Sequence, residues 1–211
     1  MTTRHPSSAP LRARLRQEIH AAILDAAESV FAREGLALGR MERVAQEAGV
    51  AVGTLYNYFK DRSALLASLL DSRRVELLDR LDAALAAAEP AFGPQLDAFL
   101  GSVLDHAREH RSLLAILMQE EITAAKARLA PPPGERTWDQ LLIRARRVVA
   151  RGVSEGALRH RDADLWPGFF LASLREALRR ELADRDGGPA ADTAKTIRTF
   201  FLNGAGRRAD A

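Results

Sequence analysis

The chain has 211 residues and no cysteine. That excludes a disulfide framework, thiolate-bound zinc and a thiol nucleophile, and it fits a reducing compartment. Aromatic residues are scarce, with two Trp, two Tyr and eight Phe. No apolar run approaches the ~20 residues that span a bilayer. The opening MTTRHPSSAPLRARLRQE lacks the apolar centre of a secretory signal. A cytoplasmic protein without a membrane partner is therefore expected. Alternation of β-branched residues is missing, which argues against sheet. Also missing are G-x-S-x-G, a Gly-rich phosphate loop and a clear acid pair. No catalytic residue, metal or cofactor is expected on these grounds.

What is present is charge, unevenly placed. Residues 1–74 hold 11 Lys and Arg against 8 Asp and Glu, whereas residues 75–211 hold 20 of each. Residues 1–16 carry Arg4, Arg12, Arg14 and Arg16 and no acid. A cationic end on a neutral body suggests a polyanionic partner. Such a segment reads as a basic, flexible arm toward that partner; the alternative is a solvated tail.

Ala, Leu, Arg and Glu recur at helical spacing throughout, so the fold class is all-α. Glycine and proline divide the chain. Gly35 closes IHAAILDAAESVFARE, whose Ile23, Ala26, Ala27, Val30 and Phe31 fall on one side. Gly49 interrupts the next segment. Asp61 precedes a long helix that ends at EPAFGP, and PPPG at 131–134 must be a loop. Gly156 ends another helix, and DGGP at 186–189 separates the last two. The total is about nine helices, with short ones within 18–59 and longer ones after.

The chemistry concentrates in RMERVAQEAGVAVGTLYNYFKDRSALL, residues 40–66. Met41, Val44, Ala45 and Ala48 make the apolar side of a short helix. Gly49 suits a left-handed turn. In the helix that follows, Val52, Leu55 and Phe59 share one face at offsets of 3 and 4. Gly53 and Asn57 fall opposite, with Thr54 and Tyr58 on one flank and Tyr56 on the other. Both tyrosines of the chain stand here. Two helices, a glycine turn and a second helix with a contact-ready outer face make a helix-turn-helix. Gly53 would let a backbone come close to DNA. Thr54 can donate to phosphate, and Asn57 carries the paired donor and acceptor that match adenine. Tyr56 and Tyr58 suit phosphates or thymine methyls, although half-buried amphipathic roles would also explain them. Lys60 and Arg62 would meet the phosphate backbone, and Asp61 would cap the following helix.

The segments FAREG at 31–35, RMERVAQEAGV at 40–50, VGTLYNYF at 52–59 and KDRSALL at 60–66 resemble the tetracycline-repressor (TetR/AcrR) family of bacterial transcriptional regulators. The resemblance covers residues 18–66. It implies a three-helix DNA-binding domain over 17–63 and a helical ligand-binding and dimerisation domain over 64–211. It further implies a homodimer on a palindromic operator, released by a small-molecule effector. Carried over by position, Val52, Gly53, Thr54, Tyr56, Asn57 and Tyr58 would form the recognition surface, with Lys60 and Arg62 on phosphates. The family often has Ser or Thr where this chain has Gly39–Arg40 and Ala51; Gly39 is a fair cap and Arg40 could reach phosphate. In the family's architecture the central helices enclose a pocket, for which Phe99, Val103, His106, Met118, Trp138, Phe169 and Phe170 are candidates, plain core being the alternative for each. The last two helices would form the dimer interface, through Leu171, Leu174, Leu178, Ile197, Phe200 and Phe201. Phe200, Phe201 and Leu202 are consecutive, so they cannot all face one monomer's core.

One competing pattern remains. HAREH at 106–110 matches H-x-x-E-H, in which two histidines share a zinc and Glu109 serves as base. Glu176 and Glu181 are the candidates for a third ligand, and a solvated helix end is the alternative. A helical scaffold would explain the amphipathic helices but not residues 40–66.

Overall fold

The computed structural model describes residues 9–36, 38–115, 117, 135–160, 163–183 and 190–205. Nine helices are present among them: α1 (Ala9–Glu34), α2 (Met41–Glu47), α3 (Val52–Tyr58), α4 (Arg62–Ala87), α5 (Phe92–Glu109), α6 (described for residues 111–115), α7 (Glu135–Ser154), α8 (Trp166–Ala183) and α9 (Ala190–Ala205). None of the described helices is long and apolar enough to cross a membrane. The chain divides into two compact units, Met1–Ser72 and Arg73–Ala211, and the division falls within α4, beyond the boundary expected at residue 63. Helix α1 begins inside the segment expected to be a flexible arm, so Arg12, Arg14 and Arg16 lie on its first turns.

In the first unit, α1 packs on α2 and α2 on α3. Ile23, Ala27, Val30, Phe31, Val44, Ala45 and Leu55 are fully enclosed. Burying such side chains is worth ~1.5–3 kcal/mol each for the larger ones, enough to hold short helices that would be marginal alone. Gly35, at φ +85°, ends α1 and returns its N–H to the Phe31 carbonyl at 2.8 Å. Gly39 has a different role from the expected cap. A Cβ on it would lie 2.5 and 2.9 Å from two ring carbons of Phe31, so the loop can close over the ring only with glycine there. The residue capping α2 is Arg40, with extended backbone and no side-chain cap bond.

The second unit packs α5 against α7, α8 and α9, with α7 on α8 and α8 on α9. Phe99, Phe170 and Phe201 form a continuous aromatic line, with ring centroids 5.2 Å apart in the first pair and 5.3 Å in the second. Two sets of expected site residues fall in this core. Phe99, Val103 and Phe170, expected around a pocket, are core residues. Leu171, Leu174, Leu178, Ile197 and Phe201, expected at a dimer interface, are buried in the same monomer core. Their spacing of 3 and 4 puts them on one face of each helix, and burial shows that this face is turned into the core.

Candidate nucleic-acid interface

The turn between α2 and α3 is built as its residues require. Gly49 has φ +66°, Val50 N–H donates to the Ala45 carbonyl at 3.0 Å, and Ala48 N–H donates to Val44 at 2.9 Å. This is a left-handed helix stop that leaves few orphan carbonyls. Arg33 binds Glu47 at 3.0 Å and Arg43 binds Glu34 at 3.3 Å, so two ion pairs tie α2 to the end of α1. The Arg33 bond and charge hold the Glu47 carboxyl below its ordinary range. Leu55 and Phe59 anchor α3 from within.

On the outer side of α3, Val52, Gly53, Tyr56 and Asn57 are exposed and Thr54 is half-buried. Val52 is 39% exposed, which corrects its assignment to the inner face by periodicity and agrees with its place in the surface implied by resemblance. Gly53 has open space where a Cβ would stand. Tyr56 is 46% exposed. Tyr58 differs from its neighbour. It is half-buried, its ring lies 6.2 Å from His20 of α1 and 6.4 Å from Phe59, and the Arg16 guanidinium sits 5.8 Å from its centroid. The contact with α1 was not visible in the local pattern, because His20 and Tyr58 are 38 residues apart.

Beyond α3, Lys60 is exposed, with Asp61 at 3.8 Å. Asp61 Oδ1 accepts the Ala64 N–H at 2.7 Å and caps α4 as its chemistry suggested. Arg62 donates to the Leu36 carbonyl, bracing the loop after α1. Arg40 is exposed at the start of α2. The N-cap of α3 is Ala51, without a side-chain cap bond. The result is an outward face of α3 presenting Tyr56, Asn57, Val52 and an unobstructed Gly53, with Arg40 exposed at the start of α2 and Lys60 exposed just past α3.

The other expected sites fare differently. His106 is buried on α5, and Trp138 is half-buried with the Arg175 guanidinium 5.3 Å from its ring centroid. Met118 lies outside the described residues. Phe169 is 57% exposed and Phe200 72% exposed, so each faces outward from its helix. An open groove of about 580 Å³ runs between α4 and α5, lined by Arg80, Ala84, Ala98, Gly101, Ser102, Asp105, Arg108 and Glu109. None of the expected pocket residues that are described lines it. In HAREH, Glu109 is bound to Arg80 at 2.8 Å, Glu181 to Arg108 at 2.6 Å, and Glu176 to Arg179 and Arg180. Burial, with His110 alongside, pushes the His106 imidazole down to about 4, so it is neutral at physiological pH.

Residues 23–69 match the family described as bacterial regulatory proteins, tetR family. An HTH-type transcriptional repressor of Streptomyces coelicolor is 30% identical over 158 residues, 75% of this chain and 74% of that protein. The HTH-type transcriptional repressor KstR of Mycolicibacterium smegmatis is 35% identical over 177 residues, 80% of this chain and 82% of its own. In fold, the transcriptional regulator FadR from Bacillus subtilis, solved in complex with stearoyl-CoA, aligns with a TM-score of 0.73 at 19% identity. That alignment covers 88% of this chain and 98% of FadR.

Proposed function

The chain belongs to the TetR family of bacterial regulatory proteins and is a DNA-binding transcriptional repressor, and from that premise we propose how it reads DNA and how it is released. Helix α3 enters the major groove with Val52, Gly53, Thr54, Tyr56 and Asn57 toward the bases and sugar–phosphate edges. Tyr58 lies at the rim against α1. Arg40 and Lys60 take flanking phosphates; Arg62, which braces the loop at Leu36, contributes from the same end. The observation that carries this reading is the outward face of α3, where exposed donors surround a glycine with nothing over it.

The working form in this proposal is a homodimer on a palindromic operator. The exposed Phe169 of α8 and Phe200 of α9 support an interface on those helices, since large exposed apolar side chains mark association surfaces. A small-molecule effector releases the DNA. The α4–α5 groove, with Arg80, Asp105, Arg108 and Glu109 in its lining, is a candidate for its site. No catalysis is assigned. The one enzyme-like motif has its prospective base, Glu109, engaged by Arg80.

Binding to the DNA flanking the chain's own gene tests the reading, with Tyr56→Ala and Asn57→Ala alongside wild type. Wild type should hold one site against competitor DNA, and Asn57→Ala should lose ~1–3 kcal/mol of preference at its base. Equal, weak binding by all three across a genome-wide selection of DNA would sink it.

A further inference from the structure

The last turn of α5 carries a cluster that operator binding does not use. His106 and His110 are four residues apart, and the His110 N–H donates to the His106 carbonyl at 3.1 Å, which keeps both imidazoles on one side. Their ring centroids are 4.6 Å apart. Glu76 reaches the same place from α4. One nitrogen from each histidine and one Glu76 oxygen all lie within 4.8 Å of one another. His110 Nε2 is 3.6 Å from Glu76 Oε2.

A second observation is independent of that spacing. His106 is 3% exposed, and its buried Nδ1 has no hydrogen-bond partner among the described residues. Buried side-chain polar atoms are nearly always bonded, so an orphaned imidazole nitrogen within a His–His–Glu cluster calls for an explanation. A metal supplies one.

We propose that Glu76, His106 and His110 bind a single zinc-class divalent ion that joins α4 to the end of α5. The donor set selects the ion. Two imidazoles and a carboxylate suit Zn²⁺, whereas calcium and magnesium sites are built from oxygen alone. Tetrahedral zinc with bonds of ~2.0–2.2 Å places its donors ~3.4 Å apart, so the cluster closes with side-chain rotation of about an ångström. Three protein ligands leave a fourth position for water or a small anion.

The charges around the cluster set the conditions. Arg73 touches Glu76 Oε2 at 3.3 Å and Arg80 touches Oε1 at 3.5 Å. The ion displaces Arg73 from Oε2, while Arg80 stays on Glu109 at 2.8 Å. Glu109, the base of the H-x-x-E-H pattern, is held by Arg80, and no hydrolytic role is assigned to the site. The acid that completes it is Glu76, thirty residues before the first histidine, and neither Glu176 nor Glu181, which the sequence had offered.

The test uses the untagged, chelator-stripped full chain with Zn²⁺ by calorimetry and Co²⁺ by visible absorption. One ion per chain, a cobalt ligand-field band and a Zn²⁺-dependent rise in Tm are expected. Glu76→Gln and His110→Gln should each weaken binding by more than the ~10–100-fold typical of losing a supporting group. His160→Gln, at an exposed histidine elsewhere, should leave binding unchanged. If His106→Ala loses helicity, the variants at the less buried Glu76 and His110 decide. Wild type that binds no ion at millimolar Zn²⁺, or variants that bind as wild type does, would overturn the proposal. Operator binding by the metal-free protein is measured in parallel, so the two readings fail separately.

Discussion

At the residue scale, two glycines of the first unit have opposite surroundings and predict opposite outcomes. Gly53 has open space where a side chain would begin. Gly53→Ala should keep or raise the unfolding midpoint, by up to ~1 kcal/mol from helix propensity, yet weaken operator binding by placing a methyl on the outward face of α3. A thermal melt and a binding titration on the same preparation check this. Loss of stability in step with loss of binding would show that Gly53 serves the fold instead. Gly39 is the reverse case. Its Cβ would meet the Phe31 ring at 2.5 Å, so Gly39→Ala should cost ~1–3 kcal/mol in denaturant unfolding of the DNA-binding unit. The outward character of Gly53 could be read from helical periodicity. The constraint on Gly39 could not, because it depends on a loop folding back over a ring eight residues earlier.

At the scale of elements, local rules succeeded where the interactions are local. The Gly49 turn and the Asp61 cap are contacts over three to five residues, and the motif residues alone determine them. Faces of helices were harder. Leu171, Leu174, Leu178 and Ile197 are apolar at helical spacing, and that pattern cannot distinguish a monomer core from a subunit interface. The structure turns them onto α5 and α7. Steric reasoning did better with Phe200 and Phe201, because adjacent helical residues must diverge; Phe201 is buried and Phe200 exposed. Long-range ion pairs were invisible in the sequence. Arg144 binds Asp82 through two bonds, at 2.8 and 2.5 Å, linking α7 to α4 within the second unit. That bond holds the Asp82 carboxyl below its ordinary range. A carboxylate depressed on folding stabilises above its unfolded value of ~3.9 and loses that contribution as pH falls through the folded one. Asp82 is half exposed, so screening limits the effect. Asp82→Asn should cost ~0.5–1 kcal/mol at neutral pH, and the difference from wild type should shrink as pH falls through the lowered folded value. Urea midpoints followed from pH 7 down into the acid range measure this.

For the whole molecule, the question is how a chain with a net charge of only +3 binds a polyanion with selectivity. Residues 1–72 hold 9 Lys and Arg against 8 Asp and Glu, and residues 73–211 hold 22 against 20, so net charge supplies little attraction in either unit. One recognition helix of seven residues reads few base pairs, and each good contact is worth ~1–3 kcal/mol. Doubling the contacts through a two-fold dimer is the economical way to reach operator specificity. The two helices must then stand ~34–36 Å apart to enter successive major grooves. On this account the exposed phenylalanines are part of DNA recognition at a distance. Phe200→Glu should shift the protein to monomer in sedimentation, with little change in helicity, because the side chain is already 72% exposed in the single chain. The same variant should lose the full palindrome while its weak, salt-sensitive non-specific binding persists, since the phosphate-facing residues are untouched. A Phe200→Glu protein that remains dimeric and binds the operator as wild type does would place the interface away from this face of α9. Phe169→Glu on α8 would then be the variant to examine by the same two measurements.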